Sequence, residues 1–221
     1  KLGGFLMHKI KAVIFDMDGV LLDSESICDR IWILLANEMN LDNIQDAITE
    51  NRGCNESQMA QNLCNRYGKD FNCPKFFSDF SKYFHEVEQS SGIDLLPDVK
   101  ETLDYLKSKG YKLGLATSTR RQTATRQLTN CRIFDYFEQA TFGDEVICSK
   151  PHPEIYLSVA KKLGVEPFQC VGVEDSPNGV KSCFAAGFKT VMVPDRIEPT
   201  EEITKLCWKV GKPISILKEY L

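Results

Sequence analysis

Short apolar runs alternate with longer stretches of helical periodicity along most of this chain. Lys11–Asp16, Tyr111–Thr117, Ala140–Phe142, Cys170–Glu174 and Thr190–Val193 have the length and apolar, β-branched character of buried strands. Between them, Asp98–Lys109, Arg121–Asn130, Glu154–Leu163 and Asn178–Ala186 carry apolar residues three and four apart, the stripe of a helix packed on one face. Punctuation marks the helix ends. Asp98-x-x-Glu101 predicts a capping box with Gly110 as the stop, and Ser176-Pro177 predicts a cap and first-turn proline with Gly187 closing the helix. Strand–helix alternation of this kind predicts a parallel sheet covered by helices on both faces.

One segment breaks the alternation. From Asp23 to about Leu96 no strand pattern occurs, while Ile27, Ile31, Leu34 and Leu35 recur at helical spacing, as do Met59, Leu63 and Cys64. Phe76, Phe77, Phe80, Tyr83 and Phe84 form an aromatic stripe that predicts core packing. The expected architecture is therefore α/β: a Rossmann-like, doubly wound, mostly parallel sheet core built from residues 1–22 and 97–221. An all-helical cap domain is inserted over residues 23–96.

Composition narrows the classes. At 221 residues the chain can bury one good-sized core, or a core with a smaller companion. A net charge of −4 argues against a nucleic-acid partner, and no run approaches the roughly 20 apolar residues of a membrane helix. The leader Lys1–His8 has no apolar stretch of signal-peptide length, which fits a natural start at Met7 with Lys1–Leu6 ahead of it. Nine scattered cysteines with no C-x-x-C pair predict reduced thiols in a cytoplasmic protein, without a zinc knuckle or disulfide framework.

Candidate chemistry lies at the strand ends, where parallel sheets bind ligands. The first strand ends in Asp16-x-Asp18-Gly19. Residues i and i+2 of a strand share a face, and two like charges that close resist desolvation, so a cation or a shared proton must offset them. The second runs into Thr117-Ser118-Thr119, hydroxyls beside free N–H groups where an anion would settle. After the third comes Ser149-Lys150-Pro151, and the fourth ends in Glu174-Asp175-Ser176. Each has a bland reading: Thr117 as an N-cap, Lys150 as a solvated charge, Glu174 and Asp175 as helix-dipole acids. Together they put four carboxylates and one lysine on one sheet edge, which requires a further cation. Oxygen donors suit Mg²⁺, and Mg²⁺ beside a lysine and an anion site is equipment for phosphoryl transfer.

The ordered set Asp16-x-Asp18-Gly19, Thr117/Ser118, Lys150-Pro151 and Glu174-Asp175-Ser176-x-x-Gly179 resembles the four motifs of the haloacid dehalogenase superfamily. The helical insert resembles that superfamily's cap of the type placed after the first motif. The stretches Gly114–Thr119, Lys150–Glu154 and Glu174–Gly179 are similar to the subgroup of β-phosphoglucomutase and small sugar-phosphate phosphatases. The resemblance implies that Asp16 attacks phosphorus and that Asp18 acts as general acid, then base. It implies Mg²⁺ held by Asp16, the Asp18 backbone carbonyl and Asp175, with Glu174 as a further or water-mediated ligand. Thr117, the Ser118 N–H and Lys150 would bind the phosphoryl oxygens. Glu25, Arg52 and Asn55 are candidates to contact the substrate from the cap, with Lys82 and His85 behind them. His152 is expected to border a helix start, and His8 carries no information.

The function expected is a cytoplasmic, monomeric, Mg²⁺-dependent phosphatase acting on a small phosphorylated metabolite, a sugar phosphate by subgroup, with no nucleic-acid or membrane partner. A phosphomutase is the first alternative. Enzymes of that kind carry a cap histidine where Cys28 stands by register, and a cap arginine near the slot of Glu56; both departures favour hydrolysis. A phospho-receiver domain is the second. Receivers are shorter and uncapped, and their acceptor aspartate lies on a middle strand rather than the first. Asp18 also argues against a haloalkanoate dehalogenase, which has no need of that acid.

Overall fold

The structure, a computed structural model, describes residues 9–52, 54 and 56–221, so the leader and Asn55 lie outside the described residues. The chain forms two compact units, Lys1–Leu22 with Leu95–Leu221, and Asp23–Asp94. The first unit holds a six-stranded sheet: β1 (Ala12–Phe15), β2 (Lys112–Ala116), β3 (Gln139–Thr141), β4 (Cys170–Glu174), β5 (Lys189–Met192) and β6 (Lys209–Val210). The strand order is β3-β2-β1-β4-β5-β6, and every pairing is parallel. All four residues of β1 are buried, as a central strand covered on both faces requires.

The second unit consists of α1 (Ser24–Met39), α2 (Ile44–Asn51), α3 (Glu56–Tyr67) and α4 (Cys73–Ser91). Asp23 caps α1 by accepting from Ser26 N at 3.3 Å, and Asn72 caps α4 by accepting from Lys75 N at 3.0 Å. Ile27, Ile31 and Leu35 of α1 are buried, and α1 packs on α4. The aromatic stripe divides. Phe76 is fully buried, edge-on to Trp32 at 5.0 Å between ring centres, whereas Phe77 and Phe80 are half-buried.

Helices α5 (Val99–Ser108), α6 (Arg121–Asn130), α7 (Glu154–Leu163), α8 (Pro177–Ala185) and α9 (Glu201–Thr204) complete the sheet unit. Helix α7 packs across β1, β2 and β3, and α8 across β4 and β5. Ile155, Tyr156, Val159 and Leu163 of α7 meet Ala12, Ile14, Ala116 and Cys170 of the sheet in one buried cluster. Ser176 caps α8 through Gly179 N at 3.1 Å with Pro177 in its first turn, as the sequence pattern predicts. No helix among the described residues is long and apolar enough to cross a membrane.

Three expectations need correction. Leu95 and Leu96 belong with the sheet unit, because Leu95 bridges Leu22 and Leu96 N donates to Leu21 O at 3.0 Å. The capping box at Asp98 does not form: Asp98 adopts a left-handed backbone (φ 62°), and its carboxylate accepts from Ser215 Oγ at 2.6 Å instead. The sheet also extends one strand beyond Thr190–Val193, to β6, whose two residues are too few to show any periodicity.

Phe76 is the packing centre of the helical unit. Phe76→Ala is expected to cost about 3–5 kcal/mol of stability through lost burial and the cavity left behind. Urea unfolding followed by far-ultraviolet circular dichroism measures it, and a loss of under about 1 kcal/mol would contradict this assignment.

Candidate active site

The topology places the chemistry. From β1 the chain winds outward to β2 and β3, then returns to β1's other side for β4, β5 and β6, so the winding direction reverses between β1 and β4. Crevices open at such reversals, outside the carboxyl ends of the strands. Here β1 ends at Asp16 and β4 at Glu174-Asp175, side by side in register, with Asp16 N donating to Val173 O at 2.9 Å.

Lys150 joins these ends. Its ammonium donates to Asp16 Oδ1, to Glu174 Oε1 at 2.6 Å and to the Ala116 carbonyl at the end of β2 at 3.0 Å. Its three N–H groups therefore match three acceptors from three strand ends. Glu174 is fully buried and further tied: Tyr156 OH donates to Oε1 at 2.6 Å and Ser176 Oγ to Oε2 at 3.2 Å. The Glu174 carboxylate lies directly on Gly179, where any Cβ would fall 1.8 Å from Glu174 Cδ. The geometry makes Glu174 first of all an anchor for Lys150.

The electrostatics leave negative charge in excess. Burial is the largest influence on Asp16 and raises its pKa. Lys150 pulls it back, while the charges of Glu174 and Asp18 push it up again, leaving the carboxyl at about 7. Burial works against the Lys150 ammonium, but Asp16 and Glu174 outweigh it and hold the group charged, above its usual value. Burial therefore dominates at Asp16, and the two neighbouring acids dominate at Lys150. Burial also holds the Tyr156 phenol neutral well above its ordinary range, with Cys183 and Glu174 adding to the effect.

Asp16, Glu174 and Asp175 each bring one carboxylate oxygen to within 4.8 Å of the others. Asp175 lies against Gly19, whose φ of +73° turns the chain and whose missing side chain makes room for the Asp175 carboxylate. A hard oxygen donor set with surplus negative charge fits Mg²⁺. Asp18 is oriented from the β2 side, accepting from Thr119 Oγ1 at 2.8 Å. Thr119 N in turn donates to Thr117 Oγ1 at 3.0 Å. Thr117 is fully buried and shapes this turn. It does not cap α6, which begins at Arg121. Ser118 next to it is exposed.

Within the helical unit, Arg52 Nη2 lies 3.2 and 3.0 Å from the two Asp29 carboxylate oxygens, and Arg52 Nη1 lies 3.8 Å from Glu25. Glu25, Asp29 and Arg52 line a cavity of about 340 Å³ whose apolar wall includes Trp32, Phe77 and Phe80. Cys28 also lines it. Lys82 and His85 are not among its lining residues. They sit on the exposed side of α4, 3.9 Å from Glu86 and 4.0 Å from Glu88 respectively. Asn55 lies outside the described residues.

Three contributors have no strong mark in the sequence. Tyr156 looks like one more apolar position on the α7 stripe, and a backbone carbonyl such as that of Ala116 has no residue signature at all. Thr119 had a signal, the third hydroxyl position of Thr117-Ser118-Thr119, which places it next to Asp18 once β1 and β2 are paired.

Comparison with known proteins bears on the fold and the family. A family profile described as haloacid dehalogenase-like hydrolase matches residues 13–193. A phosphorylated carbohydrates phosphatase of Thermotoga maritima is 35% identical over 185 residues, 82% of this chain and 84% of that protein. Hexitol phosphatase B of Escherichia coli is 31% identical over 192 residues, 85% of each chain. A crystal structure from Thermotoga maritima, provisionally named a β-phosphoglucomutase, superimposes with a TM-score of 0.79 at 31% identity, covering 96% of this chain and all of that one.

The Tyr156 hydroxyl donates to a buried charged group, so Tyr156→Phe is expected to lose about 1.5–3 kcal/mol of stability. Chemical denaturation of the two proteins measures this, and equal midpoints and slopes would show that Glu174 does not depend on the phenol.

Proposed function

Because this chain belongs to the haloacid dehalogenase-like hydrolase family, we propose that it is a Mg²⁺-dependent phosphatase acting on a small phosphorylated metabolite, a sugar phosphate by its relatives. The observation that carries the proposal is Asp16 at the carboxyl end of β1, hydrogen-bonded to Lys150, beside Asp175, with Asp18 two residues on held by Thr119.

Each side chain has a task suited to its place. The Asp16 carboxylate attacks phosphorus in line with the ester oxygen, forming an aspartyl phosphate as the P–O bond to the leaving group breaks. Asp18 donates its proton to the departing alkoxide. The resulting carboxylate then removes a proton from water, which attacks the acyl phosphate, releases inorganic phosphate and restores Asp16. Lys150, hydrogen-bonded to Asp16, would place its charge beside the phosphoryl oxygens and stabilise the negative charge spread over them. Thr117 and the Ser118 N–H belong to the same turn and would complete that cradle. Asp16, the Asp18 carbonyl and Asp175 would hold Mg²⁺, with Glu174 at one remove; the ion offsets phosphoryl and carboxylate charge. Glu25 and Arg52 of the helical unit are the described candidates to contact the leaving group.

A mutase is the second reading, favoured by the name of the superimposed Thermotoga structure. Cys28 in place of a cap histidine and Glu56 in place of a cap arginine weigh against it. A coupled assay on β-glucose 1-phosphate primed with the bisphosphate separates the two, and efficient formation of glucose 6-phosphate would replace the phosphatase proposal.

A panel of phosphorylated sugars and sugar alcohols with Mg²⁺ is expected to show steady phosphate release that chelation with EDTA abolishes. Asp16→Asn should reduce it to background while the protein stays folded. Asp18→Ala should lose about 10²–10⁴-fold in kcat, the usual share of a general acid–base. Near-wild-type turnover in Asp16→Asn would reject Asp16 as the nucleophile.

A further inference from the structure

Besides the acid cluster, the described residues bring together one other set of three metal-ligating side chains. Cys148, His152 and Glu154 each place one ligand atom within 4.8 Å of the others. Their spacing is C-x₃-H-x-E, outside the C-x-x-C patterns that mark zinc sites in sequence. The turn through Pro151 and Pro153, rather than any linear motif, brings them together.

We propose that Cys148, His152 and Glu154 form a surface site for a borderline-soft divalent cation of the Zn²⁺ type. The donors set the class of ion. A thiolate, an imidazole and a carboxylate are the ligands of Zn²⁺ and its transition-metal neighbours, while Mg²⁺ and Ca²⁺ avoid sulfur. Three protein ligands leave a fourth tetrahedral position for water.

The ligands are held in place before any ion arrives. Ile147 N donates to Glu154 Oε1 at 3.0 Å and Cys148 N to Glu154 Oε2 at 2.9 Å, so the carboxylate is fixed by the strand of chain that carries the thiol. Each oxygen keeps a lone pair for a cation. The His152 backbone is pinned at both ends: its N donates to Ser149 O at 3.0 Å and its carbonyl accepts from Ser182 Oγ at 2.7 Å. Outer-shell bonds of this kind orient ligands and raise affinity.

Two terms oppose binding: Glu154 N donates to His152 Nδ1 at 3.3 Å, which leaves Nε2 as the nitrogen for an ion, and a helix end adds positive charge. Glu154 is the first residue of α7, whose amino end carries roughly +0.5 charge. The Glu154 carboxylate supplies one negative charge against it, and Cys148 a second once an ion displaces its thiol proton, so the balance favours a cation. Cys148 and His152 are exposed, which gives the ion access. Lys150 lies inside the loop that the ion would close, so occupancy would stiffen the segment presenting that lysine. The site stands on its own geometry, whatever the reaction at Asp16.

Co²⁺ is the probe, titrated into the full-length protein in saturating Mg²⁺. Thiolate–cobalt charge-transfer absorption in the near ultraviolet is expected to rise to one equivalent and to be displaced by Zn²⁺. Cys148→Ser should abolish the band, His152→Ala should weaken it at least tenfold in midpoint, and Asp16→Asn should leave it intact. An absent band overturns the proposal. So does a band that survives in Cys148→Ser, which would place the ion on another thiol, or one that disappears in Asp16→Asn, which would show that it depends on the acid cluster.

Discussion

The buried ammonium of Lys150, shared among Asp16, Glu174 and the carbonyl of Ala116, is the interaction on which the site is built. Taking ions out of water is costly, and an ion pair with one partner removed typically loses about 3–5 kcal/mol. The structure keeps the arrangement because each member has more than one partner: Glu174 is also held by Tyr156 and Ser176, and Lys150 by three strand ends. What stays unbalanced is the sign. Burial above all, with the charges of Glu174 and Asp18 against the pull of Lys150, brings Asp16 up to about 7, and Asp175 adds a further acid within reach. Such an excess is the charge that the proposed cation would offset.

The sheet supplies the geometry without any special device. In a parallel sheet every strand delivers its carboxyl end to the same edge, and a reversal of winding between β1 and β4 leaves a gap there. Asp16 ends one strand of that gap, Glu174 the other, and Ala116 ends the strand beside them. Small residues then allow close approach. Gly179 lets the carboxylate of Glu174 lie on the start of α8, and Gly19 turns the chain against Asp175. The helical unit has its own logic, an aromatic centre at Phe76 and Trp32 beside a cavity with charged residues on one side.

Much of this was legible in the linear chain, for a physical reason. Buried parallel strands appear as short apolar runs, so the residues that end them can be listed before any fold is known. Asp16, Asp18, Lys150, Glu174 and Asp175 stand out as candidates in that way, and the alternation of strands and helices indicates the sheet. The supporting contacts were not legible, because they depend on side chains that pair across more than a strand. Tyr156 is an aromatic on an apolar stripe until α7 is laid on β1, and the cluster of Cys148, His152 and Glu154 exists only after two prolines turn the loop. Propensity also misled at Asp98, where a tertiary partner, Ser215, took the carboxylate that local pattern assigned to a helix cap. The stripe from Phe76 to Phe84 showed a helical face correctly but not which of its rings faces a cavity.

The central claim, that Asp16 carries the phosphoryl group between substrate and water, is tested most directly by trapping it. In Asp18→Asn the acid–base is gone, while p-nitrophenyl phosphate offers a leaving group that needs no proton, so the first step proceeds and the second stalls. Rapid acid quench and peptide mass spectrometry should then find one phosphoryl group per chain, on Asp16. Continued turnover with no phosphoprotein at any time, or a phosphoryl group on another residue, would contradict the account.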